Sequence, residues 1–210
     1  MKAVTRKRLL FVAIMAGAVF LWHSIVPAPR WELYHEDEWT RISAQGVREM
    51  QSGNVDQASD LFARAFSLIE NIPPTDIRRG TTLQNLAWVE QQRRHFDRAA
   101  DLYRQSITIL DANGISANSQ KIAALNGLAT VETSLGQFPD AAKYLEQAIT
   151  IEESVDGPES PEVAQALHSY AGVLLVVGRT GDAAKAAQRA AAIDSENGAK
   201  WHHDATRPVP

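Results

Sequence analysis

Three stretches of this sequence gather side chains that can bind a metal or move a proton. His35-Glu36-Asp37-Glu38 places one imidazole beside three carboxylates, a set a divalent cation would accept. The same residues also suit the start of a helix, where the positive end of the helix dipole favours acids, and that is the role expected for them. His202-His203-Asp204 offers two imidazoles and a carboxylate, but it stands shortly before Pro208 and Pro210 in a stretch expected to be a flexible tail. His168 stands apart; an imidazole titrates in the physiological range, so it suits either an ordinary polar contact or a pH-sensitive one. The 210 residues include no cysteine, which excludes thiolate nucleophiles, disulfides and cysteine-bound metal. No glycine-rich phosphate loop, His-Glu-x-x-His pair or Gly-x-Ser-x-Gly elbow occurs. These residues predict a protein that is not an enzyme and holds neither metal nor cofactor.

Charge is divided unevenly along the chain. Lys2, Arg6, Lys7 and Arg8 precede an unbroken apolar run of 14 residues, 9–22, and no acid occurs before Glu32. A basic segment followed by an apolar one has the form of an export or anchoring signal. As a helix, residues 9–28 would reach about 30 Å, just enough to cross a bilayer. Ala28 is the best-placed small residue for cleavage, but Pro29 follows it and disfavours removal, whereas the compact apolar run favours it. The expectation is a single-pass inner or plasma membrane anchor over residues 1–30, with a cytoplasmic N-terminus and an extracytoplasmic, periplasmic remainder. Cleavage and release to the periplasm is the alternative. Beyond residue 30, sixteen basic residues face twenty-five acidic ones, a net charge of −9, which argues against nucleic acid as a partner.

The remainder of the chain is repetitive. GNVDQASDLFARAFSLIE begins at Gly53, RHFDRAADLYRQSITILD at Arg94, GQFPDAAKYLEQAITIEE at Gly136 and GRTGDAAKAAQRAAAIDS at Gly178, at spacings of 41, 42 and 42. Ala58, Ala99, Ala141 and Ala183 form one small-residue column; Gly46, Ala87, Ala129 and Ala171, each 12 positions earlier, form another. Between them run apolar stripes at helical spacing, such as Leu61, Phe62, Ala65, Phe66 and Ile69, or Tyr144, Leu145, Ala148, Ile149 and Ile151. Small residues on both helices of a pair let their backbones cross closely. Turn signals separate the units: Asn113-Gly114 after the second, residues 156–161 after the third, with Ser160 as a helix cap and Pro161 in the first turn, and Asn197-Gly198 after the fourth. No strand-like alternation persists. The chain reads as all-α, with eight helices of roughly 13–18 residues stacked as four pairs.

Leu86-Ala87, Leu128-Ala129 and Tyr170-Ala171, a glycine seven residues after the last two pairs, and an alanine five residues beyond it make the pattern resemble the tetratricopeptide repeat (TPR) family. The long period and the stretch GPESPEVAQALHSYAGVL resemble the kinesin-light-chain type. The first unit departs by lacking the Leu-Ala pair, and the fourth by carrying Ala187 where an aromatic is expected, with no clear solvating helix after it. The resemblance implies a right-handed α-solenoid of about four TPR helix pairs over residues 31–198, with repeats near 39–71, 80–113, 122–156 and 164–197 and a flexible tail over 199–210.

It further implies a groove lined by the first helix of each unit. Its peptide-binding residues would be Gln84, Trp88 and Gln91, then Asn126, Thr130 and Thr133, then Gln165 and His168. These are amides and hydroxyls suited to the backbone of an extended peptide, with Trp88 either as an anchor or packed between units. The implied function is a membrane-anchored, non-enzymatic adaptor that binds a neutral or amphipathic segment of a protein partner. The alternative is a structural subunit of a cell-envelope complex, docked or oligomerised through its alanine-rich C-terminal helix or convex face.

Overall fold

Each apolar stripe becomes the inward face of a helix. The computed structural model describes the backbone of residues 30–114 and 118–204 and the side chains of 38–114 and 119–197. Among the described residues there are eight helices and no strand: α1 Arg30–Gln51, α2 Val55–Leu68, α3 Ile77–Gln92, α4 Phe96–Asn113, α5 Asn118–Ser134, α6 Phe138–Val155, α7 Pro161–Val177 and α8 Thr180–Asp204. The chain divides into two compact units, Met1–Arg41 and Ile42–Pro210. In the first, Glu38 and Arg41 pair at 3.9 Å, one helical turn apart. The repeats lie in the second.

Within the second unit the helices pack in chain order. The pairs α3–α4, α5–α6 and α7–α8 are the most extensive, and α4–α5 and α6–α7 join one pair to the next. Four apolar clusters follow one another. Met50, Ala58, Phe62 and Val89 form the first; Ala87, Tyr103, Leu110, Leu128 and Val131 belong to the second. Ala129, Ala141, Leu145, Val173 and Leu174 belong to the third, and Ile149, Val163, Leu167, Ala190 and Ile193 to the fourth. Every cluster draws on more than one repeat, so no repeat closes its own core. Both small-residue columns are buried along their whole length. At Gly46 the reason is geometric: a Cβ there would stand 2.4 Å from the Phe62 ring.

The turn inside each repeat is the same device used four times. Gly53, Arg94, Gly136 and Gly178 all have positive φ, at 81°, 63°, 76° and 83°. The next residue then donates its backbone N–H five residues back: Asn54 to Glu49, His95 to Glu90, Gln137 to Glu132 and Arg179 to Leu174, at 2.8–2.9 Å. Glycine takes this conformation without strain, whereas Arg94 bears the cost of its Cβ. Its guanidinium lies over the Phe96 ring at 5.9 Å from the centroid. Between repeats, Asp76 caps α3 by accepting from Arg78 N at 2.9 Å, and Ser160 caps α7 by accepting from Val163 N at 3.2 Å.

Two sequence expectations change. The signal anchor over residues 1–30, with residues 9–28 as its span, lies outside the described residues except for Arg30, where α1 begins. Among the described residues no helix is long and apolar enough to cross a membrane. The two longest show why: α1 and α8 bring a charged side chain to nearly every turn, Glu32, Glu36, Arg41 and Arg48 in one and Asp182, Lys185, Arg189 and Asp194 in the other. The single-pass membrane placement, with an extracytoplasmic remainder, is therefore corrected: the structure supports no such anchor. Second, α8 runs through Asn197-Gly198 to Asp204 instead of ending there. A helix-interior glycine costs only about 1 kcal/mol, too little to stop a helix by itself.

Candidate functional site

A pocket of about 540 Å³ opens between α5 and α7, the first helices of the third and fourth repeats. From α5 come Asn126, Ala129, Thr130, Thr133 and Ser134; from α7 come Glu162, Gln165, Ser169 and Val173; from α6, between them, come Leu145 and Glu152. Helical spacing explains the sets: 126, 130, 133 and 162, 165, 169, 173 are successive turns of one face. Leu145 and Val173 give the pocket an apolar wall that belongs to the third core cluster. Apart from Ala129, of the same cluster, the remainder is polar.

The hydroxyls of this lining are turned to their own helices. Thr130 Oγ1 donates to Asn126 O at 2.9 Å, Thr133 Oγ1 to Ala129 O at 2.8 Å, Ser134 Oγ to Thr130 O at 3.0 Å and Ser169 Oγ to Gln165 O at 3.2 Å. Asn126 Nδ2 donates to Glu152 Oε1 at 3.2 Å. Glu152 is 5% exposed, and both its Oε2 and Asn126 Oδ1 are buried without a hydrogen-bond partner. Burial pushes the Glu152 carboxyl above its ordinary range; the bond from Asn126 opposes this, and the nearby charges of Asp156 and Glu162 add to it.

Of the residues expected in the groove, the pocket brings together Asn126, Thr130, Thr133 and Gln165. The other four sit elsewhere. Trp88 is half-buried and packs against the first cluster, with Val47 and Leu86 beside it. Gln91 Oε1 accepts from the buried Tyr103 hydroxyl at 3.0 Å, while Gln84 Oε1 is buried without a partner. Tyr103 reaches Gln91 because Gly127 gives way: a Cβ at Gly127 would come within 2.4 Å of the ring. His168 Nε2 meets Asp194 Oδ2 on α8 at 2.9 Å.

Glu152, Glu162 and Ser169 were not anticipated from sequence. A signal for Glu152 existed. The second-helix position that holds Ile69 and Leu110, both buried, in the first two repeats holds Glu152 in the third and Asp194 in the fourth. The facing first-helix position is Gln84, Asn126 and His168 in the last three repeats, so Asn126–Glu152 and His168–Asp194 are the same contact one repeat apart. Two further buried carboxylates lie at the intra-repeat turns. Glu90 meets His95 Nδ1 at 2.8 Å, and Glu132 accepts from Arg104 Nη2 at 2.5 Å, joining α5 to α4. Among the described residues no cluster of three His, Cys, Asp or Glu is arranged to hold a metal ion; the side chains at 35–37 and 202–204 lie outside those described.

Comparison with solved structures shows the same fold. BtubC (BKLC) from P. vanneervenii is 18% identical, with a TM-score of 0.68 over 100% of this chain and 78% of its own. A putative kinesin light chain from Podosopora anserina, with nearly identical TPR-like repeats, is 18% identical, with a TM-score of 0.63 over 89% of this chain and 86% of its own. MamA is 16% identical, with a TM-score of 0.59 over 80% of this chain and 86% of its own. No curated protein matches significantly by sequence. The tetratricopeptide repeat family model matches residues 46–112 and 120–196, well over half the chain and all four intra-repeat turns. The chain therefore belongs to the tetratricopeptide repeat family, whose arrays are protein–protein interaction scaffolds.

Proposed function

We propose that this protein is a non-enzymatic interaction scaffold that holds an extended segment of a protein partner in the pocket between α5 and α7. The observation that carries this reading is the pocket itself, which unites Asn126, Thr130, Thr133 and Gln165 in a space of about 540 Å³. Its acceptor-rich lining suits the N–H groups of a peptide backbone, and the Leu145–Val173 wall suits an apolar side chain beside them. In this reading Asn126, Thr130, Thr133 and Gln165 touch the segment. Trp88 and Gln91 stabilise the preceding repeat, Gln84 stays within it, and His168 braces α7 against α8. A photocrosslinking residue placed in the full chain at Ser169, in the pocket, and at Glu146, exposed on α6 outside it, tests the proposal. Partner adducts should form at Ser169 and not at Glu146; adducts at Glu146 alone would refute it.

A further inference from the structure

The hydrogen-bonding chemistry of the pocket leans towards acceptors, with only the Asn126 and Gln165 amides keeping protons to donate, and this points to the kind of group it receives; the inference rests on the reading above. Thr130, Thr133, Ser134 and Ser169 have spent their protons on backbone carbonyls, so lone pairs are what they have left to offer. Asn126 has committed one of its two amide protons to Glu152, and its Oδ1 has no partner. Glu152 is 95% buried by its 5% exposure, yet its Oε2 has no partner. Glu162 brings a second carboxylate, and no lysine or arginine lines the space. A buried carboxylate oxygen without a partner is costly, and packing does not call for it: the matching positions in the first two repeats are the apolar Ile69 and Leu110. The raised proton affinity of Glu152 reports the same imbalance, since a nearby positive charge would relieve it.

We infer that the pocket takes a lysine or arginine side chain of the partner segment, with its cationic head between Glu152 and Glu162 and its methylenes along Leu145 and Val173. Each proton of such a head would find an acceptor already in place, with the two carboxylates supplying the charge-assisted bonds.

The test uses the full chain, isotopically labelled, and two acetylated, amidated pentapeptides. One has arginine at its centre; the other has citrulline, which keeps the shape and loses the charge. Binding is followed through the side-chain amide signals of Asn126 and Gln165. The arginine peptide should shift both signals and bind about tenfold more tightly than the citrulline peptide, and Glu152→Gln or Glu162→Gln should each abolish most of that difference. Glu162 is exposed, so its variant removes charge without disturbing the fold. Equal binding of both peptides at Asn126 and Gln165 would overturn the cationic specificity and leave the pocket as the binding site. Binding of either peptide without shifts at those residues would overturn both.

Discussion

Glu152 occupies a core register, with Leu145, Ala148 and Ile149 on the same helical face, and under the proposed function it is the residue at which folding and binding pull in opposite directions. Its carboxyl is held above the ordinary 4.5, so the folded chain binds this proton more readily than the unfolded chain. Stability from this group is therefore greatest where it is protonated and falls as pH rises through its folded pKa. Glu152→Gln removes the charge, and its melting temperature at pH 7 should exceed that of the parent protein. The gain should shrink as pH falls through the raised folded pKa and be gone below about 4.5, where Glu152 is protonated in the folded and the unfolded chain alike. A variant that melts lower at pH 7 contradicts this account. Arg94 stores cost of another kind. It is the one non-glycine residue with positive φ among the described residues, at a turn where the other three repeats use glycine. Arg94→Gly should stabilise the fold by about 0.5–1 kcal/mol in denaturant titration, the left-handed strain outweighing the added freedom of the unfolded chain. The sequence shows both residues as departures from their columns. It does not show that Glu152 Oε2 goes unpartnered, because that depends on how α5, α6 and α7 meet.

At the scale of the helix, the repeat phrase has a definite mechanical meaning. Ala141 is fully buried where α6 crosses α5, with Ala129 opposite in the same cluster. Ala141→Leu should cost about 1–3 kcal/mol by overpacking, whereas Ala184→Leu on the exposed side of α8 should be nearly silent in the same thermal melts. Trp88 belongs to this scale too. Half-buried against Met50, Phe62 and Val89, it joins the first repeat to the second, and Trp88→Ala should cost about 2 kcal/mol of stability while partner adducts at Ser169 persist. Helix existence, the intra-repeat turns and the Ser160 cap were legible because each rests on local chemistry: spacing, positive φ, or a hydroxyl two or three residues from unpaired N–H groups. Helix ends were less legible. Gly198 only weakens a helix, so α8 continues past it.

Across the whole molecule, the repeat period was enough to recognise the family, and the family model now covers residues 46–112 and 120–196. It was not enough to say where along the array binding would occur. Gln84, Asn126 and His168 share one column and look equivalent in sequence, yet of the three only Asn126 lines the pocket between α5 and α7, while Gln84 Oε1 is buried on α3. His168 instead turns to Asp194 on α8. The apolar segment at residues 9–22 was equally plain in sequence, but the described helices contain no membrane span, so the functional account rests on the second unit. Its central claim, that the α5–α7 pocket holds the partner segment, is tested most directly by filling that pocket. A randomised library of short capped peptides is passed over the immobilised full chain and over its Ser169→Trp variant, whose new ring would occupy the pocket from an exposed position. The account predicts that the parent chain retains peptides enriched in lysine or arginine and that the variant retains them only at background level; equal retention by both chains would contradict it.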